Sequence, residues 1–114
     1  MSLDIQSITD VFSVSPQLSP ADMQTVADAG FKSVIINRPD FELDSSEPSS
    51  TAMLEAAEKA GLVACYMPVV ASDITSENVQ EFKLRCTNLP TPILAYCRSG
   101  KRCANLYQLA QQLS

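Results

Sequence analysis

Residues 93–103 read ILAYCRSGKRC: an apolar run, one cysteine, a short loop of small and cationic residues, and the start of a helix-like segment. The apolar run is typical of a strand buried in a parallel sheet. A cysteine placed where such a strand passes into a helix meets loop N–H groups and the positive end of the helix dipole, which favour thiolate over thiol. The stretch therefore predicts that Cys97 is a nucleophile or part of an anion site, and that the rest of the chain holds it in place.

Around this stretch the chain alternates between strand-like and helix-like segments. The predicted strands cover residues 11–14, 31–36, 62–66 and 93–96, and the predicted helices cover 20–29, 51–60, 76–87 and the chain from about 102. Such alternation predicts an α/β fold of three layers, in which helices flank a mainly parallel sheet of four to five strands. With 114 residues, 46% of them hydrophobic, residues 1–114 are expected to form a single domain. The order of the strands is not readable from the pattern.

The connection after the second predicted strand carries two charged residues, Arg38 and Asp40. Open α/β sheets bind ligands at the carboxyl ends of their strands. The two side chains therefore either line the same mouth as Cys97, or pair with each other and close a turn. The acidic, serine-rich connection at 41–50 is predicted to be mobile.

The charge balance limits the classes of partner. The chain carries 8 basic and 13 acidic residues, a formal net charge of −5, which gives no attraction to nucleic acid or to an anionic membrane. No apolar run approaches the roughly 20 residues of a membrane span, and the first residues lack a secretory pattern, so a cytoplasmic protein is expected. Against this acidic background, Arg98, Lys101 and Arg102 form a local cationic cluster, which predicts a small anionic substrate.

Cysteine usage and the lack of histidine bear on metals and proton transfer. None of the four cysteines has CxxC spacing, so a zinc site would need three or four thiols from separate elements, and neither a metal nor another cofactor is expected. Without histidine, proton transfer falls to Asp, Glu, Tyr, Cys or water. Cys65 and Cys86 are predicted to be core residues.

The loop from Cys97 to Arg102 resembles the rhodanese active-site loop, Cys-Arg-x-Gly-x-Arg. Four further motifs accompany it: Val14-Ser15-Pro16-Gln17, Asn37-Arg38-Pro39-Asp40, Ala60-Gly61-Leu62 and Pro68-Val69. With them, nearly the whole chain resembles the phosphatase-like domain family named after beta-lactamase hydrolase-like proteins. The resemblance implies the scaffold of dual-specificity, cysteine-dependent phosphatases. It also implies a persulfide-dioxygenase-type partner, because members of the family occur alone or joined to such a domain of metallo-beta-lactamase type.

The resemblance leaves two reactions open at Cys97. Cysteine-phosphatase signatures place five residues between the cysteine and the arginine, and usually a histidine directly before the cysteine. Here only four residues separate Cys97 from Arg102, and the residue directly before Cys97 is Tyr96. Both features favour a sulfurtransferase that carries sulfane sulfur as a Cys97 persulfide, with loop amides and Arg102 holding the charge. The alternative is a phosphoester hydrolase with a phosphocysteine intermediate. For it, Asp73, 24 residues before Cys97, is the candidate general acid, unless Asp73 is only a turn residue or the N-cap of the helix at Ser76.

The other loop residues are predicted to support the nucleophile. Arg98, Ser99, Gly100 and Lys101 are expected to bind the anion through side-chain charge or backbone N–H groups. Cys103 is either a core residue on the helix face or a thiol that resolves an oxidised Cys97 as a disulfide. A third hypothesis is therefore a weakly active domain that binds an oxyanion or senses redox state.

Overall fold

The computed structural model describes residues 3–40 and 49–113, which form five strands and four helices. In chain order these elements are β1 (Gln6–Thr9), β2 (Phe12–Ser15), α1 (Asp22–Asp28), β3 (Ser33–Ile36), α2 (Ser50–Lys59), β4 (Val63–Tyr66), α3 (Ser76–Asn88), β5 (Ile93–Tyr96) and α4 (Lys101–Gln111). The strands form one sheet in the order β1-β2-β5-β3-β4. The predicted α/β fold with a mainly parallel sheet is confirmed, and the candidate loop connects β5 to α4.

The last strand, β5, lies at the centre of the sheet. It runs parallel to β2 on one side and to β3 on the other, and its last residue, Tyr96, aligns with Ser15 and with Ile36. β4 continues the sheet beside β3, also in parallel. Because parallel strands end at the same edge, the loops that follow β2, β3, β4 and β5 meet there. The loop after β5 is therefore enclosed by the loops of its neighbours.

The two faces of the sheet belong to different core clusters, because side chains alternate between faces along a strand. One cluster joins β3 and β5 to α1 and α2, and the other joins β2 and β5 to α3 and α4. Tyr96 belongs to the first cluster and Cys97 to the second. In the second cluster, Phe12 of β2 stacks on Tyr107 of α4, with ring centroids 4.1 Å apart, and meets Phe82 of α3 edge to face at 5.8 Å. These ring contacts tie both helices to the sheet.

Strand β1 is absent from the sequence prediction. It pairs antiparallel with β2 at the edge of the sheet, and all four of its residues are exposed. A strand without a buried face has no hydrophobic alternation for the sequence pattern to reveal. The following strand is shifted by one residue from its predicted range, to Phe12–Ser15.

Helix α1 begins two residues later than the sequence pattern predicts. The pattern places Pro20 at the first helical position, with Ser19 and Asp22 as a capping box. Instead, residues 20 and 21 form a turn and the helix starts at Asp22. Only half of the box forms: the Asp22 carboxylate accepts from the Ser19 backbone N–H at 2.7 Å, while the Ser19 hydroxyl donates to the same carboxylate at 3.0 Å instead of capping a backbone N–H.

Two further expectations concern the cysteines and the acidic connection. Cys65 and Cys86 are half-buried and pack against the cluster under α3 and α4, so they border the core rather than fill it. The predicted mobility of 41–50 falls mainly on residues 41–48, which lie outside the described residues. Across the described ranges, every helix is too short or too polar to cross a lipid bilayer.

Candidate active site

The loop after β5 folds back so that its backbone meets the Cys97 sulfur. Gly100, the residue before α4, adopts a left-handed backbone with φ of 90°, which glycine reaches without steric cost. In this conformation the Gly100 N–H donates to Cys97 Sγ at 3.1 Å. The loop is fastened to the neighbouring strand by two bonds, from the Cys97 N–H to the Ser15 carbonyl at 3.4 Å and from the Gln17 N–H to the Arg98 carbonyl at 3.2 Å. The sequence expectation of a sulfur facing loop amides at the start of a helix matches this geometry.

These contacts make Cys97 an acidic thiol. The pKa of Cys97 falls from 9.0 to about 5, chiefly because the Cys103 thiol donates a hydrogen bond to its sulfur. Burial opposes this effect by raising the pKa, and the backbone N–H groups of Cys103, Gly100 and Ser99 lower it further. Cys97 is therefore a thiolate at neutral pH, the form in which cysteine is a nucleophile.

Cys103 lies in the first turn of α4 and is fully buried. Burial is the main reason why the pKa of its thiol is well above 9.0, and the hydrogen bond to Cys97 raises it further because that bond needs the Cys103 proton. Cys103 thus combines a core position with contact to the nucleophile. The structure holds both as free thiols, and the predicted disulfide between them stays a prediction.

A cavity of about 490 Å³ opens above the Cys97 sulfur. Five of the predicted site residues line it: Cys97, Arg98, Ser99, Lys101 and Arg102. Gly100 is buried beneath the loop, where a Cβ atom would lie 3.4 Å from the Ser15 carbonyl carbon and oxygen. Three further residues that line the cavity were not predicted from the sequence: Ala71, Ile74 and Asn105. Asn105 could have been predicted, because it follows Lys101 by one helical turn and so lies on the same face of α4.

The Arg102 guanidinium is held by backbone carbonyls at the carboxyl edge of the sheet. Its Nη1 donates to the Val69 carbonyl at 3.0 Å and to the Asn37 carbonyl at 3.4 Å. Asn37 is itself buried, donating its side-chain amide to the Met67 carbonyl at 2.9 Å and its N–H to the Tyr96 carbonyl at 3.0 Å. These bonds fix the guanidinium at the cavity wall. Asn37 is a supporting residue that sequence reasoning missed, because nothing in its motif distinguishes it from a turn residue.

Arg38 and Asp40 stabilise the scaffold and do not line the cavity. The Arg38 Nη1 donates to Gln17 Oε1 at 2.8 Å. The Asp40 carboxylate accepts from the Ser50 N–H at 2.6 Å and the Ser50 hydroxyl at 2.9 Å, at the N-terminus of α2 where negative charge is favourable. The Asp40 N–H in turn donates to the Tyr66 hydroxyl at 2.9 Å. Arg38 and Asp40 were expected either to line the same cavity as Cys97 or to pair with each other. Instead, neither lines the cavity, and they bind Gln17 and Ser50, respectively.

Asp73 lies in the loop beside the cavity, with an exposed side chain that is not part of the cavity wall. Its N–H closes a turn onto the Val70 carbonyl at 3.0 Å. The N-cap of α3 is Thr75, which forms a complete capping box with Asn78, so the predicted N-cap role of Asp73 is wrong. The general-acid role stays a prediction, and the neighbours of Asp73 at 71 and 74 do line the cavity.

The residue before the nucleophile has no contact with the cavity. Tyr96 points to the opposite face of the sheet, where burial raises the pKa of its phenol and Gln17 hydrogen bonds to it. The tyrosine that stands in place of a phosphatase histidine therefore does not discriminate between sulfur and phosphate chemistry.

Comparison with known proteins places this site in a family. The family model of the beta-lactamase hydrolase-like protein, phosphatase-like domain, matches residues 4–114. Beta-lactamase hydrolase-like proteins of Xylella fastidiosa and Agrobacterium fabrum are 30% and 31% identical to the chain over 109 and 106 residues, or 96% and 93% of its length. The chain spans only about a quarter of these relatives, 25% and 24% of their lengths.

Solved structures share the fold. A phosphatase-like protein of Neisseria meningitidis superposes with a TM-score of 0.87 at 32% identity, over 99% of this chain and 82% of that one. The core catalytic domain of a PP-IP phosphatase from S. cerevisiae superposes with a TM-score of 0.71 at 17% identity, over 96% and 67% of the two chains, a likeness of fold. From the family match and the shared fold together, the chain belongs to the family of the beta-lactamase hydrolase-like protein, phosphatase-like domain.

Proposed function

We propose that this chain hydrolyses a phosphoester through a phosphocysteine on Cys97. The observation that carries the proposal is the Cys97 thiolate, held by the Gly100 N–H at 3.1 Å at the floor of a cationic cavity. Membership of a phosphatase-like family supports the same reaction, so the comparisons favour the phosphatase alternative over the sulfurtransferase. Thiolate charge, loop amides and a guanidinium are the groups that phosphoryl transfer needs, because the attacked phosphorus carries three oxygens that must be held.

The first step forms the Cys97 S–P bond and breaks the ester P–O bond, and the leaving oxygen takes up a proton. In the second step water attacks phosphorus, the S–P bond breaks, and inorganic phosphate and the thiolate are released. Arg102, held by the Val69 and Asn37 carbonyls, is positioned to bind phosphoryl oxygens. Asp73 remains the candidate donor of the first proton, because its loop forms part of the cavity wall.

Hydrolysis of an aryl phosphate by the purified chain tests the proposal. We expect Cys97→Ser to abolish phosphate release, whereas Cys86→Ser, which removes a half-buried thiol outside the cavity, retains it. Asp73→Asn should lower kcat for an alkyl phosphate about 10²-fold, and much less for an aryl phosphate whose phenol leaves without a proton. Phosphate release that survives Cys97→Ser would contradict the proposal, and equal effects of Asp73→Asn on both substrates would remove Asp73 from the mechanism.

Sulfur transfer is a second candidate, favoured by the four-residue spacing between Cys97 and Arg102. Here the thiolate attacks the outer sulfur of thiosulfate, a new S–S bond forms, sulfite leaves, and a thiol acceptor later takes the sulfur from the persulfide. Under this candidate, a persulfide-dioxygenase-type partner consumes the product. The four free thiols fit a reducing compartment, which supports a cytoplasmic location for either reaction. Sulfite release from thiosulfate, or thiocyanate formation when cyanide is supplied as the sulfur acceptor, separates the two chemistries when measured beside the phosphate assay.

A further inference from the structure

The rim of the cavity above Cys97 carries two cations that the protein does not neutralise. Arg98 and Lys101 are exposed and line the cavity, and within residues 3–40 and 49–113 their side chains make neither an ion pair nor a hydrogen bond. Lys32 and Lys59 are likewise exposed without a side-chain partner among the described residues, but neither lines this cavity. Arg98 and Lys101 differ from them because they share one cavity, where the half-buried Arg102 adds a third cation. In a chain of net charge −5, this local grouping of cations indicates a ligand that supplies negative charge.

A single phosphoryl group over the sulfur already has partners deeper in the site. The Gly100 and Ser99 N–H groups face the sulfur, and the Arg102 guanidinium is fixed at the wall. Arg98 and Lys101 are exposed, whereas Arg102 is half-buried and Cys97 is buried, so the two exposed side chains stand at the entrance of the cavity and not at its floor. The entrance therefore suits a second anionic group of the substrate, separate from the phosphoryl group that Cys97 attacks.

The cavity wall also bears on the rest of the substrate. No aromatic residue of the described ranges lines it, and its apolar part consists of Ala71 and Ile74. Tyr96 is buried on the other face of the sheet, and Tyr107 stacks on Phe12. Among the described residues that line the cavity an aryl ring finds no stacking partner, which disfavours phosphotyrosine.

We propose, on the basis of the phosphatase function above, that the substrate is a small, soluble, non-aromatic ester with at least two phosphates, one attacked by Cys97 and another bound at the entrance by Arg98 and Lys101. A cavity of about 490 Å³ accommodates a molecule of sugar-phosphate size. The net charge of −5 opposes approach to an anionic membrane, so the phosphates belong to a soluble molecule and not to a lipid headgroup.

A matched pair of substrates tests this inference: fructose 1,6-bisphosphate against fructose 6-phosphate, with an aryl phosphate as reference. We expect kcat/KM to be about tenfold higher for the bisphosphate, mostly through a lower KM. The reason is that a charge-assisted contact to the second phosphate increases binding affinity by about tenfold. The advantage should shrink as salt is raised, since the rim charges are exposed. Lys101→Ala and Arg98→Ala should each reduce the bisphosphate-to-monophosphate ratio about three- to tenfold. Lys59→Ala, an exposed lysine of α2 outside this cavity, should leave the ratio unchanged.

The outcomes separate this inference from the proposed function. Equal kcat/KM for the two sugar phosphates overturns the inference, and so does a preference for the bisphosphate that persists in both Lys101→Ala and Arg98→Ala. In either case, turnover of the aryl phosphate still supports the proposed hydrolase. Failure to release phosphate from all three compounds overturns the hydrolase and the inference with it.

Discussion

Cys97 depends on a hydrogen bond from a neighbour that is itself a thiol. Because the pKa of Cys97 is lowered to about 5, the nucleophile should stay ionised from alkaline pH down to about pH 5 and become protonated below it. We expect iodoacetamide alkylation of Cys97 to follow that profile. Cys103→Ser keeps a donor and should preserve the midpoint, whereas Cys103→Ala removes the main lowering contact and should raise the midpoint by about one pH unit or more.

Mass spectrometry of the alkylated peptide assigns the reaction to Cys97 and not to the other thiols. Cys86, whose pKa burial raises to about 12, should remain unmodified under the same conditions, and Cys86→Ser serves as the matched control. An unchanged midpoint in Cys103→Ala would show that the loop N–H groups alone keep the sulfur ionised.

The contact between Cys97 and Cys103 also makes the predicted disulfide testable. With hydrogen peroxide, the Cys97 thiolate attacks one oxygen, the O–O bond breaks and hydroxide leaves, giving a sulfenic acid. Cys103 then attacks that sulfur, and the S–O bond breaks with release of water as the disulfide forms. We expect a Cys97–Cys103 disulfide that dithiothreitol reduces, and irreversible over-oxidation of Cys97 in Cys103→Ser. Over-oxidation at the same rate in the unmodified chain would exclude this role, and Cys86→Ser should behave like the unmodified chain.

At the scale of elements, the turn from β5 into α4 depends on one backbone conformation. An alanine at Gly100 would hold a left-handed conformation, at a cost of about 1–2 kcal/mol, and would place its Cβ in contact with the Ser15 carbonyl at 3.4 Å. Gly61 offers a matched control, with φ of 85° but with no atom within 4 Å of its Cβ position. We expect both Gly→Ala variants to lose similar stability in urea unfolding, and only Gly100→Ala to lose Cys97 alkylation at pH 7. Equal alkylation in the two variants would contradict the role given to the Gly100 N–H.

Elements with a strong apolar pattern were predictable from the sequence, and those defined by partners were not. β5 spans the predicted residues because its four residues are all buried. β1 was missed because all of its residues are exposed. The start of α1 was predicted two residues early because residues 20 and 21 form a turn, in which the Asp22 N–H donates to the Ser19 carbonyl at 3.0 Å. The N-cap of α3 was only one of the alternatives for Asp73, and the structure gives it to Thr75, whose capping box is completed by Asn78.

At the scale of the whole molecule, the sequence located Cys97 and the loop that surrounds its sulfur, but not the residues that support them from elsewhere in the chain. Cys97 and the four loop residues after it could be named because their spacing is local. The roles of Arg38 and Asp40 could not, because they depend on Gln17 and on Ser50, which only the tertiary fold brings near. Strand order was equally inaccessible, since an apolar pattern specifies which faces are buried but not which strands are neighbours.

The central position of β5 has a consequence for the synthesis of the protein. β2 and β3 do not pair with each other; both pair with β5, which is synthesised after the other four strands that the structure describes. Until residues 93–96 emerge, β2 and β3 lack the strand with which both of them pair, so the five-stranded sheet is incomplete. The reactive sulfur follows on the next residue, and its Gly100 donor three residues later. A chain that ends before Gly100 therefore lacks a backbone contact that lowers the pKa of Cys97.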